Sequence, residues 1–119
     1  MLKRLLCLSI LIIGTSSALA YNYDTNLPLP GKSIADENLQ KNTLFTAYMF
    51  AHRIATPDCK DFAIVDSYVS EEKVDNKWQE TWSIKACSKT ALVPINFELN
   101  EKGAIYAVDP MKVKILSNE

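Results

Sequence analysis

Glycine occurs three times and histidine once in 119 residues, and the scarcity of both removes whole classes of chemistry. There is no glycine-rich phosphate loop and no serine-hydrolase elbow, so the chain lacks the backbone devices that cradle a nucleotide or expose an activated serine. The single histidine, His52, comes without a partner motif for acid–base work. A zinc site built from His52, Cys59 and Cys87 lacks ligand-pair spacing and a fourth ligand, so neither a metal nor a cofactor is expected. Blocks of like charge are missing too. The 13 Lys and Arg and the 14 Asp and Glu are interspersed, which argues against nucleic acid or an anionic membrane surface as partner. No internal repeat or low-complexity segment is present.

The N-terminus, MLKRLLCLSILIIGTSSALA, has the three parts of a secretory signal peptide: Lys3 and Arg4, the apolar run Leu5 to Ile13, and the small-x-small site Ala18-Leu19-Ala20. The apolar run is well short of the roughly 20 residues that span a bilayer. Cys7 precedes most of that run and is not placed for a lipid anchor. Residues 1–20 are therefore expected to be removed, leaving a periplasmic or secreted chain that starts at Tyr21 and has no membrane insertion. Without Lys3 and Arg4, 11 of the 13 basic residues face all 14 acidic ones, a net charge of −3.

Residues 21–32, YNYDTNLPLPGK, carry Pro28, Pro30 and Gly31 and read as an extended arm lying across the domain. Residues 33–119 read as a single domain. Ser33 is placed to cap a helix, with Asp36 and Glu37 in an acidic first turn. Phe45, Tyr48, Met49 and His52 recur at three- and four-residue steps, which predicts one helix over Ile34–Ile54 that buries Phe45, Tyr48 and Met49. Thr56-Pro57 ends it. Beyond it, FAIVDSYV (62–69), KWQETWSIKAC (77–87), ALVPINFEL (91–99), GAIYAV (103–108) and MKVKIL (111–116) alternate as strands do. Their short connectors favour antiparallel neighbours, and Pro94 suggests an edge or a bulge. The fold class is α+β: one N-terminal helix on a four- to five-stranded antiparallel sheet. The element order is similar to that of cystatin-like folds, without an inhibitor loop motif.

Cleavage after Ala20 also removes Cys7, and two cysteines in an exported chain read first as one disulfide, Cys59–Cys87. Pairing the first two strands as a hairpin supports this. A register that sets Phe62 opposite Ile84, Ile64 opposite Trp82 and Tyr68 opposite Trp78 also sets Cys59 opposite Cys87. The same register opposes Asp66 to Glu80, an unfavourable like-charge pair that a two-residue shift or a bulge relieves. A reactive Cys87 would need an electropositive setting; Asp58 and Asp61 flank Cys59 instead. Phe62, Tyr68, Trp78 and Trp82 form the packing face of the sheet, and Tyr68, Trp78 and Trp82 are the candidates for a ligand or partner face.

The segment ETWSIKACSKTALVPINF, with DCKDF upstream, resembles small exported proteins of Gram-negative bacteria. Their second strand reads like W-x-V-x-A-C-G-K-T and is followed by an alternating V-x-V-x-F strand. The resemblance covers Thr56 to Asn100, and Ser88 stands where that pattern has glycine. It implies export, this kind of fold and the disulfide, and no activity. The expected function is a non-enzymatic binding or accessory module of the bacterial envelope with a protein partner. The rivals are a small envelope hydrolase using His52 and a small-ligand carrier.

Overall fold

A computed structural model describes residues 21–55 and 58–117. The expected signal peptide, its cleavage site and Thr56-Pro57 lie outside the described residues. The chain runs β1 (Asn22–Tyr23), α1 (Glu37–Phe50), a π-helical turn (Ala51–Ala55), β2 (Asp61–Val74), β3 (Lys77–Ala86), β4 (Lys89–Asn100) and β5 (Gly103–Val108). A short 3₁₀ turn (Pro110–Lys112) then leads to β6 (Lys114–Ser117). The α+β class of one long helix on a mostly antiparallel sheet is as expected, with six strands in place of four or five. The additional strand is β1, from the arm. It pairs in parallel with the start of β2, the arm and helix between them supplying the crossover such a pair needs.

Strand order is β1-β2-β3-β4-β5, and β6 pairs with the other half of β4. β4 is thus an interior strand whose outer neighbour changes along its length. β5 pairs with Ile95–Asn100 and β6 with Lys89–Leu92, so the break falls at Val93-Pro94. A residue without an N–H is tolerated at such a gap, which accounts for Pro94 in a strand that is not an edge. The turns follow local chemistry. Asp75 and Asn76 both take positive φ between β2 and β3, as a tight two-residue hairpin requires. Between β3 and β4 the positive φ (56°) falls on Cys87, and Ser88 has no need to be glycine.

The helix begins later than its sequence pattern suggests. Asp36, not Ser33, is the N-cap, its carboxylate accepting from the Leu39 N–H at 2.8 Å. The Ile34 and Ala35 amides, which would otherwise start the helix, donate to Glu80 on β3. The buried face is Leu39, Gln40, Thr43, Leu44, Ala47 and Tyr48. Ala47 and Ala51 are fully buried and let the helix lie close to the sheet. Tyr48 is buried as expected. Phe45 (53% exposed) and Met49 (54%) are not, because they fall on the outer face, where Phe45 makes an edge-to-face contact with Tyr23. Gln40 is satisfied inside, accepting from the Leu29 N–H and donating to the Ala35 carbonyl. Tyr48 donates to the Asp24 carbonyl and accepts from the Ile64 N–H, bridging arm, helix and β2. Burial, offset in part by the Ile64 N–H and reinforced by the Asp24 charge, pushes its hydroxyl pKa up to about 12.

The arm is stitched along β2. The Asn22 and Asp24 amides donate to the Lys60 and Phe62 carbonyls, and the Lys32 amide donates to Ser67. Gly31 (φ 99°) lies so close to Ser67 that a Cβ would overlap its backbone. Beneath the arm and helix, one core gathers Leu29, Leu44, Tyr48, Phe62, Trp82, Ile84, Val93, Ile95 and Phe97.

Candidate functional site

Cys59 and Cys87 are joined as a disulfide with Cα atoms 6.0 Å apart, within the usual range for such a bridge. Cys59 is buried and Cys87 sits on the exposed β3–β4 turn. The two are not opposite each other in the ladder. The observed register is shifted by two residues, with Phe62 opposite Ala86 and Ile64 opposite Ile84. The bridge closes just beyond the paired ends, where the chain is free to approach.

Between Ile64 and Asp66 the register slips again through a bulge. It turns Ser67 to the helix side, opposite Trp82, and sends Tyr68 to the other face, opposite Thr81. Asp66 then faces Ser83 and Glu80 faces Val69, which removes the like-charge pair. The same slip divides the three aromatic residues expected on one face. Trp82 is fully buried in the core. Tyr68 (42% exposed) lines a shallow cleft of about 430 Å³ on the sheet face away from the helix, with Leu92, Pro94 and Met111. Trp78 is nearly buried at 5% exposure, yet it borders a different and larger cleft.

That larger cleft, about 540 Å³, lies at the distal end of the sheet, where the β2–β3 turn approaches β4 and β5. Val74, Ile105 and Ala107 supply its apolar lining, while the rings of the neighbouring Trp78 and Phe97 are buried (5% and 1% exposed) on the helix side of the strands. Its polar lining is Glu71, Glu72, Glu98, Asn96 and Lys77, so carboxylates outnumber ammonium groups three to one. Trp78 stacks on Phe97 with centroids 5.1 Å apart, and the Lys73 ammonium lies 5.2 Å from the centre of its ring. Tyr106 is anchored to the helix by donating to the Asn42 carbonyl at 2.9 Å. An open cleft lined by apolar side chains and a few polar groups, carboxylates prevailing, suits recognition of a ligand more than bond-making chemistry.

Behind the cleft, Glu80 is fully buried between the two tryptophans in sequence and in space. One carboxylate oxygen accepts from Trp78 Nε1 (2.9 Å), Ile34 N (3.0 Å) and Ala35 N (3.2 Å). The other accepts from Trp82 Nε1 at 2.9 Å. Four N–H donors compensate the burial of an acid that would otherwise be prohibitive. Sequence reasoning placed Glu80 only as a charge to be avoided. The available signal was its parity: in W-x-E-x-W it shares the inward face with both tryptophans.

His52 is half-buried, its ring 4.6 Å from Tyr21 and 5.2 Å from Phe62 between centroids. Among the described residues no three His, Cys, Asp or Glu side chains gather to hold a metal ion. No helix among them is long and apolar enough to cross a membrane. Comparison of the chain with protein-family models, curated proteins and solved structures finds no match.

Proposed function

We propose that the chain is a non-enzymatic binding or accessory module of the bacterial envelope, exported by its N-terminal signal to the periplasm or beyond. Its working surface in this reading is the cleft at Trp78, and its ligand is a protein partner. The observation that carries it is the cleft's composition: exposed Ile105 with Val74 and Ala107 beside a predominantly acidic lining, on strands backed by the packed Trp78, Phe97 and Glu80. The Cys59–Cys87 bridge supports the export part, since such bonds persist in oxidising compartments. The likeness to cystatin-like folds is an analogy of architecture and carries no activity.

A hydrolase using His52 has less support. His52 is packed against Tyr21 and Phe62, away from the large cleft's lining residues. A carrier holding a ligand between helix and sheet also has less, because that space is filled by Tyr48, Trp82 and Phe97. The test is affinity capture from envelope extract with the intact mature chain and with Ile105→Arg, which alters the cleft at an exposed position. A stoichiometric partner retained by the first and lost by the second is the expected result. Equal recovery by both, or no partner at all, removes the reading, and loss of a measurable hydrolytic activity in His52→Ala would replace it.

A further inference from the structure

The sheet has two sides on which another strand could add, and they are treated differently. On the β2 side, β1 and the arm cover the strand from Asp61 to Ser67, and its distal stretch carries Glu71, Glu72 and Lys73. On the far side, β6 carries Lys114. β5 has no such guard. Its sequence, GAIYAV, contains no charged residue and no proline, and among the described residues it pairs with β4 on one edge and with no strand on the other. Exposed edges are normally blunted by a lysine, a proline, a bulge or a covering segment, because unpaired backbone groups there recruit other chains. Six uncharged edge residues beside a ligand cleft are the arrangement by which sheets take up an added strand.

We infer that β5 is the acceptor for an extended segment of a partner protein, one that alternates apolar and basic residues. The inference rests on the binding-module reading and specifies its mode. Ile105, Tyr106 and Ala107 belong both to β5 and to the lining of the cleft. A strand paired with β5 therefore passes the cleft mouth. Because alternate side chains of a strand share one face, every second residue of the added segment is presented to the cleft. Gly103, Ala104 and Ala107 keep the edge low, so little side-chain bulk stands between the added backbone and β5. Charge selects the partner. Glu71, Glu72 and Glu98 outnumber Lys77 and the neighbouring Lys73, which leaves the cleft acidic, and a basic segment complements it. A second copy of this chain does not, since pairing two β5 strands about a two-fold axis brings the two acidic clefts together.

The test uses the mature chain with its disulfide intact and three synthetic octapeptides. One alternates lysine and valine, one alternates glutamate and valine, and one is the lysine–valine peptide methylated at every backbone nitrogen. Two signals are read: hydrogen exchange of the Ala104–Val108 amides and the indole N–H resonance of Trp78. The lysine–valine peptide is expected to shift the Trp78 resonance and slow exchange at β5, while the other two do neither. Glu98→Lys is expected to weaken that peptide about tenfold, equivalent to roughly 1.4 kcal/mol. A Trp78 shift without protection at β5, or equal binding of the methylated peptide, overturns strand addition and leaves the cleft as a binding site. Equal binding of the glutamate–valine peptide overturns the basic partner. Silence of both signals at millimolar lysine–valine peptide overturns the inference entirely, while the capture experiment independently judges the binding-module reading.

Discussion

Glu80 shows how one buried side chain joins parts of a chain distant in sequence. Its four donors are the Ile34 and Ala35 amides just before the helix and two indoles on its own strand. Glu80→Gln keeps the volume and supplies one acceptor oxygen, but turns an amide NH₂ toward N–H donors, of which, among the described residues, Ala35 alone has a second acceptor in Ser33 Oγ. Leaving a buried donor unsatisfied costs about 1–3 kcal/mol, and the variant is expected to lose that much in chemical denaturation. The Trp78 indole resonance is expected to move as well, since its hydrogen-bond acceptor changes. Wild-type stability together with an unchanged Trp78 resonance would show that the carboxylate is not the anchor described. Tyr48 plays a smaller version of the same part, joining arm, helix and β2 through one hydroxyl.

At the scale of elements, the sequence reading succeeds where pattern is local and fails where packing chooses between equivalent patterns. Every predicted strand exists near its expected place, because alternation and turn residues are written into each segment. MKVKIL is the partial exception, since Asp109-Pro110 starts a 3₁₀ turn before β6 can form. The helix is legible, but its inward face is not. Phe45 and Met49 compete with Leu44, Ala47 and Ala51 for that role, and only the close approach permitted by the alanines decides it. The bulge after Ile64 has no glycine or proline to announce it, so the division of Tyr68 from Trp78 was hidden. Leu44→Ala is expected to cost about 2–5 kcal/mol, as deletion in a packed core does. Phe45→Ala is expected to stay within about 1 kcal/mol, because half of that ring already faces water. Thermal melts of the two variants check the assignment, and equal losses would contradict the helix orientation.

For the whole molecule, the bridge between Cys59 and Cys87 closes a loop with a sequence separation of 28. Constraining an unfolded chain over that length is worth about 3.5 kcal/mol, a large part of the 5–15 kcal/mol typical of a domain. Reduction is expected to lower the melting temperature by many degrees. Cys59→Ser and Cys87→Ser are expected to be destabilised alike, with the double variant no worse than either. Alkylation of Cys87 alone in the unreduced protein would mean that the bond is not stably formed. The Glu80 cluster also bears on the order in which the chain can assemble. The Ile34 and Ala35 amides precede their acceptor by 46 and 45 positions. In a chain delivered N-terminus first, those amides emerge long before β3 and stay hydrated until Trp78, Glu80 and Trp82 have followed. Docking of the Ile34-Ala35 segment is therefore a late event that waits for the middle of the sheet, whereas the arm before it pairs with the earlier β2. A chain halted before Trp78 could hold the arm against β2 but would leave the Ile34 and Ala35 amides without their acceptor.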